Sequence, residues 1–539
     1  SSFLGTCRKI HVYSDIESTK YKILGTHKKL YGVEGTTFND ITPIRATTSA
    51  GDVTFAATNG SSTITATDTS HGAIIGDFVT FSGASSLGGN ITAAVLNQEY
   101  EIVSVPNDNS FTFTAKDTSG TEVTANSSDS GNGGSSVVGT YQINVGLDTY
   151  VSSTGWGVGA WGAGTFGSST PLSLTNQLRL WTIDNFGDDT IAAPRGGPIY
   201  YWDESSGLTT RAVEASSRAG ASNTPVAVLQ LLMSDVDRHV IALGSNPIGS
   251  STIDPLLVRF SDKENAVDWT PTATNSAGGV RLSTGITIIG GLQTRQEILI
   301  WTDVGIVSMR FVGAPFVFSF NEVATGMSLI SPNGAATAGG VVYFMDNGAF
   351  YQYSGSVQRL PCTVLDHVFN DFNKSQAYKV FAAANPKYNE VMWFYPSESS
   401  EEINRYVIYN YLEQSWSIGT TSDNFVRTAW NPAYTLDYPL AASKDDDSGS
   451  NYLYDQEFGY LADGNGFTAF IESSDFDLDP DGENFMFISK LIPDIQFRKS
   501  TDTGDTVNVV IKGREYPLQD LSTLSTVAVT PNSTFTNTR

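Results

Sequence analysis

Between residues 293 and 355 the chain writes one short pattern twice, and that doubling limits its possible folds more than any other feature. Gln296-Glu297-Ile298-Leu299-Ile300-Trp301 leads through Thr302-Asp303-Val304-Gly305 into Ile306–Phe311. Gly340-Val341-Val342-Tyr343-Phe344 then leads through Met345-Asp346-Asn347-Gly348 into Ala349–Tyr353 and Ser354-Gly355. Each copy is an apolar or aromatic run, a turn with Asp two residues before Gly, and a second run. Val, Ile, Tyr and Phe suit a pleated, half-buried surface, and Asp and Gly supply the turn. Hairpins recurring at this distance point to radial repetition of the β-propeller kind.

Further units with the same texture follow along the chain. They are Leu178–Gly187 with Pro198–Asp203, and Ala227–Met233 with Arg238–Gly244 and Leu256–Asp262. Glu390–Tyr395 with Arg405–Asn410, and Tyr452–Asp455 with Phe458–Tyr460, complete six or seven units, within the usual range of about 4–8 blades. The expected fold class is therefore all-β: a β-propeller-like domain of repeated antiparallel hairpins or blades. From Arg45 to Thr140 the text changes to Thr, Ser, Ala, Gly and Asn. Ser62–Thr67, Asp77–Phe81, Tyr100–Val105 and Ser110–Thr114 alternate polar with apolar, the period of half-buried strands. This reads as a small β-barrel or β-sandwich inserted into the larger domain, either decorating a surface or tolerated without a binding role. The expected division is 1–44 for the first propeller hairpins, 45–140 for the insert, 141–440 for the main blades, and 441–539 for the last blade and a C-terminal β segment. Segments are expected to be missing at both ends.

Three stretches depart from strand text. Val364, Leu365, Val368, Phe369 and Phe372 form one apolar stripe of a short helix, in which His367 faces solvent or serves as a cap. Lys20, Lys22, Lys28 and Lys29 read as a solvated turn in preference to a binding patch. Ser152–Thr170 is Gly-rich backbone carrying Trp156, Trp161 and Phe166 five residues apart. Ordering such backbone is entropically costly, and the rings need burial in this subunit's core, in a neighbouring subunit or against a ligand. No Gly-Lys-Ser/Thr follows, which excludes a phosphate loop on pattern.

Catalytic and metal chemistry finds little footing. The five histidines (His11, His27, His71, His239, His367) are scattered, and Cys7 and Cys362 lie far apart, without metal-ligand spacing. Two distant cysteines fit a reduced assembly compartment better than a disulfide-stapled fold. No apolar run approaches 18 residues, so none reads as a membrane span. Asp477-Leu478-Asp479-Pro480-Asp481-Gly482 resembles the start of a calcium loop, but Ile488 stands where a bidentate Glu is needed and Pro480 does not suit the loop. The net charge is −25, and Asp445–Glu483 holds twelve acids and no Lys or Arg. That argues against phosphate neutralisation, although an acidic wall also lets DNA slide without adhering. The acid count leaves a propeller glycosidase open, but no carboxylate pair stands out. The expectation is no enzyme, no cofactor and no metal.

Several strings resemble a family of tail structural proteins from short-tailed bacteriophages, known as stabilisation, hub or nozzle proteins. They include LGTHKKLYGVEGTTFNDITPIR (Leu24–Arg45), STGWGVGAWGAGTFG (Ser153–Gly167), WTIDNFGDDTIAAPRGGPIYYWD (Trp181–Asp203) and VRFSDKENAVDWTPTATNSAG (Val258–Gly278). LQTRQEILIWTD (Leu292–Asp303), VQRLPCTVLDHVF (Val357–Phe369) and NEVMWFYPS (Asn389–Ser397) extend the match over most of the chain. The resemblance implies a propeller-containing virion subunit, assembled in the host cytoplasm as a homohexameric ring below the portal and adaptor. There it prolongs the DNA channel for genome retention and ejection. Its expected partners are itself, the portal–adaptor complex, tail fibres, the host envelope, and DNA in transit without specific binding. Trp156, Trp161 and Phe166 are the candidate interface or channel-loop residues. The alternative is a receptor- or carbohydrate-contacting tail component, or a platform for fibre attachment.

Overall fold

The computed structural model describes residues 2–128, 132–150, 175, 177–234, 236–421, 426–444, 451–459, 469–473, 488, 495, 506–516 and 519–530. The chain divides into two compact units, Ser1–Asp463 and Gly464–Arg539. In the second, Val507–Gly513 pairs antiparallel with Ser522–Val529, and Lys512 Nζ meets Glu472 Oε1 at 2.8 Å.

The described residues of the first unit form a propeller of seven antiparallel sheets with a β-sandwich inserted after the first. Blades 1 to 6 have four strands each, in simple sequence order, and begin with Cys7–Ser14, Trp181–Phe186, Val228–Met233, Ile288–Gln293, Ala335–Ala338 and Phe381–Asn385. Blade 7 has three strands, Arg427–Asn431, Leu440–Ser443 and Leu453–Asp455. Its sheet is completed by the chain's beginning: Phe3 bridges antiparallel to Asn451, donating N–H to its carbonyl at 3.2 Å. The two copies of the doubled pattern form the middle hairpins of blades 4 and 5. Ile298–Thr302 pairs with Gly305–Gly313, and Val341–Met345 with Phe350–Tyr353.

Each seam between blades has its own apolar cluster. Alternation along single strands shows why. In blade 3, Val240 and Ala242 pack toward blade 2, while Ile241 and Leu243 pack toward blade 4. In blade 4, Ile298 and Ile300 face blade 3, while Leu299 and Trp301 face blade 5. A strand covered on both sides must be apolar at odd and even positions alike, so it reads as a continuous run. Seams close on either side of the beginning too: Phe381 and Phe394 pack on Trp430, and Phe3, Cys7 and Ile10 pack with Ala429 and Leu440. Blade 2 approaches blade 1 so closely that a Cβ on Gly25 would stand 2.4 Å from Trp181. Trp181 Nε1–H also donates to Thr26 O at 2.8 Å.

The insert is built from two four-stranded sheets, one containing Thr54–Ala57, Thr63–Thr67, Ser104–Asn107 and Ser110–Thr114. The other contains Ile44–Thr47, Phe78–Ser82, Glu99–Glu101 and Val138–Gln142. They enclose one core around Phe55, Ile64, Phe81, Phe111, Phe113 and Tyr141. Ile64 and Ala66 point in, whereas Thr63, Thr65 and Thr67 point away, as expected for a sheet covered on one face.

One reading of the basic cluster is corrected. Lys29 is no solvated turn residue: it is 3% exposed, and its Nζ ion-pairs with Asp40 at 2.8 Å and with Glu99 of the insert. Arg211 of blade 2 reaches Asp40 at 3.0 Å as well. The pair clamps insert and propeller together because burial leaves the ammonium no water to replace those carboxylates. The expected helix forms at Leu365–Asn370, with Val368 buried and His367 exposed.

Candidate functional site: a polar hub across the propeller axis

The first strand of each blade is the inner one. Those of blades 1, 2, 3 and 4 pack in succession, as do those of blades 5, 6, 7 and 1. Where these strands begin, a set of buried polar side chains spans the centre. Arg8, in the inner strand of blade 1, donates from Nη2 to Asp148 Oδ1 at 2.8 Å and to Glu402 Oε2 at 2.5 Å, and from Nη1 to Glu402 Oε1 at 2.8 Å. The Arg8 fork therefore grips Glu402 with both outer nitrogens, the geometry guanidinium favours for a carboxylate. Lys379, two residues before the inner strand of blade 6, adds Nζ to Glu402 Oε2 at 3.2 Å.

Arg195 completes the span from blade 2. Its Nη1 donates to Leu229 O and Ile289 O, both at 3.2 Å, its Nη2 reaches Ile288 O at 3.5 Å, and its guanidinium lies 5.7 Å from the Tyr378 ring centre. Tyr378 stacks on Tyr150 with ring centres 5.0 Å apart. Tyr150 N–H donates to Gln376 Oε1, and Gln376 Nε2 donates back to Tyr150 O, each at 3.0 Å. Side chains that touch the starting ends of inner strands from opposite sides of a ring must cross its axis.

Two of these groups, Glu402 and Arg8, hold each other charged. Burial opposes ionisation of Glu402, but Arg8 and then Lys379 outweigh it and hold its carboxyl down at about 2. Burial acts against the Arg8 cation too, and Glu402 and Asp148 overcome it, raising its pKa. Lys379 is lowered, by burial first and then by repulsion from Arg8. Arg195, faced mainly by carbonyls, is lowered by burial. Such a cluster fixes geometry, since removing one member strands the opposite charge out of water.

What it fixes is the neck of the Gly/Trp segment. Asp148 and Tyr150 precede that segment, and Gln177, Leu178 and Arg179 follow it. The two flanks bridge in parallel at Leu147 and Leu178, with Leu147 N–H to Gln177 O at 3.1 Å and Arg179 N–H to Leu147 O at 2.9 Å. Gln177 Nε2 donates to Arg195 O at 2.7 Å, and Arg179 Nη2 to Asn144 O at 2.8 Å. Trp156, Trp161 and Phe166 themselves lie outside the described residues, as does the acidic stretch Asp477–Gly482. Sequence reasoning missed the hub that flanks them: Arg8, Asp148, Lys379 and Glu402 are far apart along the chain and carry no shared motif.

Two other constellations bear on chemistry. Ser276 Oγ lies 2.8 Å from His239 Nε2, and His239 Nδ1 lies 3.3 Å from Asp237 Oδ2, in the order of a Ser-His-Asp relay. The setting is that of a brace. Ser276 Oγ donates to Asp262 Oδ1 and accepts Lys263 N–H, at 2.8 and 2.9 Å, and the imidazole is 0% exposed among Phe260, Phe311 and Phe318. Burial opposes ionisation of Asp262, but the Ser276 N–H and O–H donors prevail and lower its pKa. The second is a cavity of about 480 Å³ between the turns of the doubled pattern, lined by Asp303, Met327, Ser328 and Asp346 among others. Burial raises the Asp346 carboxyl there. Among the described residues, no group of three or more His, Cys, Asp or Glu could hold a metal ion.

No family model matches the chain, and no curated protein does. Solved structures overlap it weakly. An exported protein from Bacteroides fragilis NCTC 9343 gives a TM-score of 0.30 at 8% identity, covering 50% of this chain and 88% of that one. Hsv2 from Kluyvelomyces marxianus also gives 0.30 at 8%, covering 56% and 82%. The phage phi92 endosialidase gives 0.20 at 12%, covering 99% and 78%. Overlaps this slight carry no argument about activity, and the fold rests on strand pairing.

Proposed function

We propose that the chain is a structural subunit of a short-tailed phage tail, a nozzle or hub protein that assembles as a ring below the portal and adaptor. The observation that carries this reading is the braced neck. A buried ion cluster and a parallel bridge tie both flanks of an aromatic, Gly-rich segment to the propeller axis, which suits a segment that must hold position against a neighbouring copy or passing DNA. The resemblance of Ser153–Gly167 and the other quoted strings to tail proteins supports the same reading. Because Arg8, Arg195, Tyr378 and Glu402 occupy the axis, the channel on this reading runs between copies and not through a propeller. The net charge of −25 repels DNA and so favours sliding over adhesion. Native mass spectrometry of the full-length protein, alone and with the phage's portal–adaptor complex, tests the proposal. A ring, or stoichiometric addition of about six copies to the portal–adaptor complex, is expected for symmetric association. A monomer indifferent to the portal would sink it.

A further inference from the structure

A cavity of about 270 Å³ opens between blades 2 and 3, lined by Ser222, Asn223, Val226, Ile248, Ser250 and Arg259 among others. Arg259 sits in the third strand of blade 3, Leu257–Phe260, where its neighbours Val258 and Phe260 pack toward blade 4. Strand alternation therefore turns Arg259 toward blade 2, where its guanidinium lies 5.8 Å from the Trp269 ring centre.

Arg259 is 3% exposed, and no carboxylate among the described residues forms an ion pair with it. Its hydrogen bonds go to carbonyls: Nη1 to Asn246 O at 3.1 Å, and Nη2 to Asn223 O at 2.5 Å and Trp269 O at 3.4 Å. Burial lowers its pKa to about 10, with no opposing charge to hold it up. A guanidinium has five N–H donors in a planar fork matched to a carboxylate. Three contacts to carbonyls leave donors over and the charge uncompensated, and a buried charge without a partner is costly.

The rest of the lining narrows the ligand. Ser222, Asn223 and Ser250 line the same cavity: the Ser222 hydroxyl donates to Asp268 Oδ1 at 2.5 Å and the Asn223 amide to Thr270 Oγ1 at 2.8 Å, which leaves their oxygens as acceptors, while Val226 and Ile248 leave 38% and 48% of their surface exposed. We propose that this cavity binds an acidic sugar residue, with Arg259 taking its carboxylate, the Ser and Asn groups its hydroxyls, and Val226 and Ile248 its C–H face. The volume falls just below the roughly 300–1,000 Å³ of drug-sized ligand pockets, which suits one ring better than an oligomer. This site does not rest on ring assembly, so its failure leaves the nozzle reading intact.

The full-length chain tests it by saturation-transfer NMR and calorimetry with glucuronate and N-acetylneuraminate. Glucose and N-acetylglucosamine serve as neutral probes, and acetate and inorganic phosphate as bare anions. Saturable binding of an acidic sugar, at least roughly tenfold tighter than the neutral and bare-anion probes, is expected. Arg259→Lys should weaken that binding. Because Arg259 also bridges carbonyls, Ser250→Trp at the exposed mouth is the second variant, and it should abolish binding with the thermal midpoint unchanged. Absence of saturable binding by either acidic sugar overturns the site. Equal binding of acetate or phosphate, or full binding retained by folded Ser250→Trp, does so too.

Discussion

The propeller and its insert are both antiparallel β, yet they are held together on different plans. Middle blade strands such as Val240–Ser245 and Ile298–Thr302 are apolar on both faces, and the described blades meet in seven apolar seams around a polar, charged hub. The insert has a single apolar core between two sheets, and the outer face of Thr63–Thr67 carries threonine at alternate positions. The difference shows that burial on one or two sides, more than strand propensity, dictates how a strand is spelled.

Four tests would break or sharpen that contrast. The largest effect belongs to the hub: Glu402→Ala should cost roughly 3–5 kcal/mol in chemical denaturation, because it strands Arg8 and Lys379 without their shared carboxylate. Next, Leu299→Ala and Ile300→Ala should each cost about 2–5 kcal/mol although they are sequence neighbours on opposite faces, since each leaves a cavity in a different seam. A cost from only one of the two would end the two-faced account. Acid follows. The Glu402 carboxyl, 4.5 ordinarily, is depressed to about 2. Its stabilisation is therefore complete above about 4.5 and is lost as the pH falls toward about 2. Thermal melting across that window should show the propeller loosening more than Glu402→Ala does over the same range. The smallest change is Thr65→Ala on the insert's outer face, expected within about 0.5 kcal/mol of the parent by denaturation. Beside it, Ile64→Ala should cost about 2–5 kcal/mol. A large loss from Thr65→Ala would mean that this face is covered.

Much of the fold was legible because its signals are local. The turns at Asp303 and Asp346 and the runs beside them marked two blade hairpins, and strict alternation at Ser110–Thr114 marked an insert strand. The number of blades was not legible, since outer strands such as Val213–Glu214 are too short to leave a pattern. Residues 1–44 read as first propeller hairpins and not as a whole four-stranded blade, because Thr37–Asp40 has little apolar text. Lys29 was misread because a lysine beside a turn has the same local appearance whether solvated or buried, and Glu99, its partner, is 70 residues away. The hub was invisible for the same reason, with Arg8 and Glu402 394 residues apart. His239, Asp237 and Ser276 meet only through the turns of blade 3, and no spacing announces them. Arg259 could have been suspected as a charge inside the apolar run Leu256–Phe260, although its cavity could not.

The bridge between Phe3 and Asn451 sets a timetable for synthesis. Phe3 leaves the ribosome well before Asn451, its strand partner, which arrives only after nearly all of the propeller has been translated. At about 5–20 residues per second, the wait is on the order of half a minute to a minute and a half. During it, the apolar flank formed by Phe3, Cys7 and Ile10 has no blade 7 to cover it. The nascent chain is thus an open arc with two sticky ends, and two such arcs on one message are more apt to join each other than two finished discs.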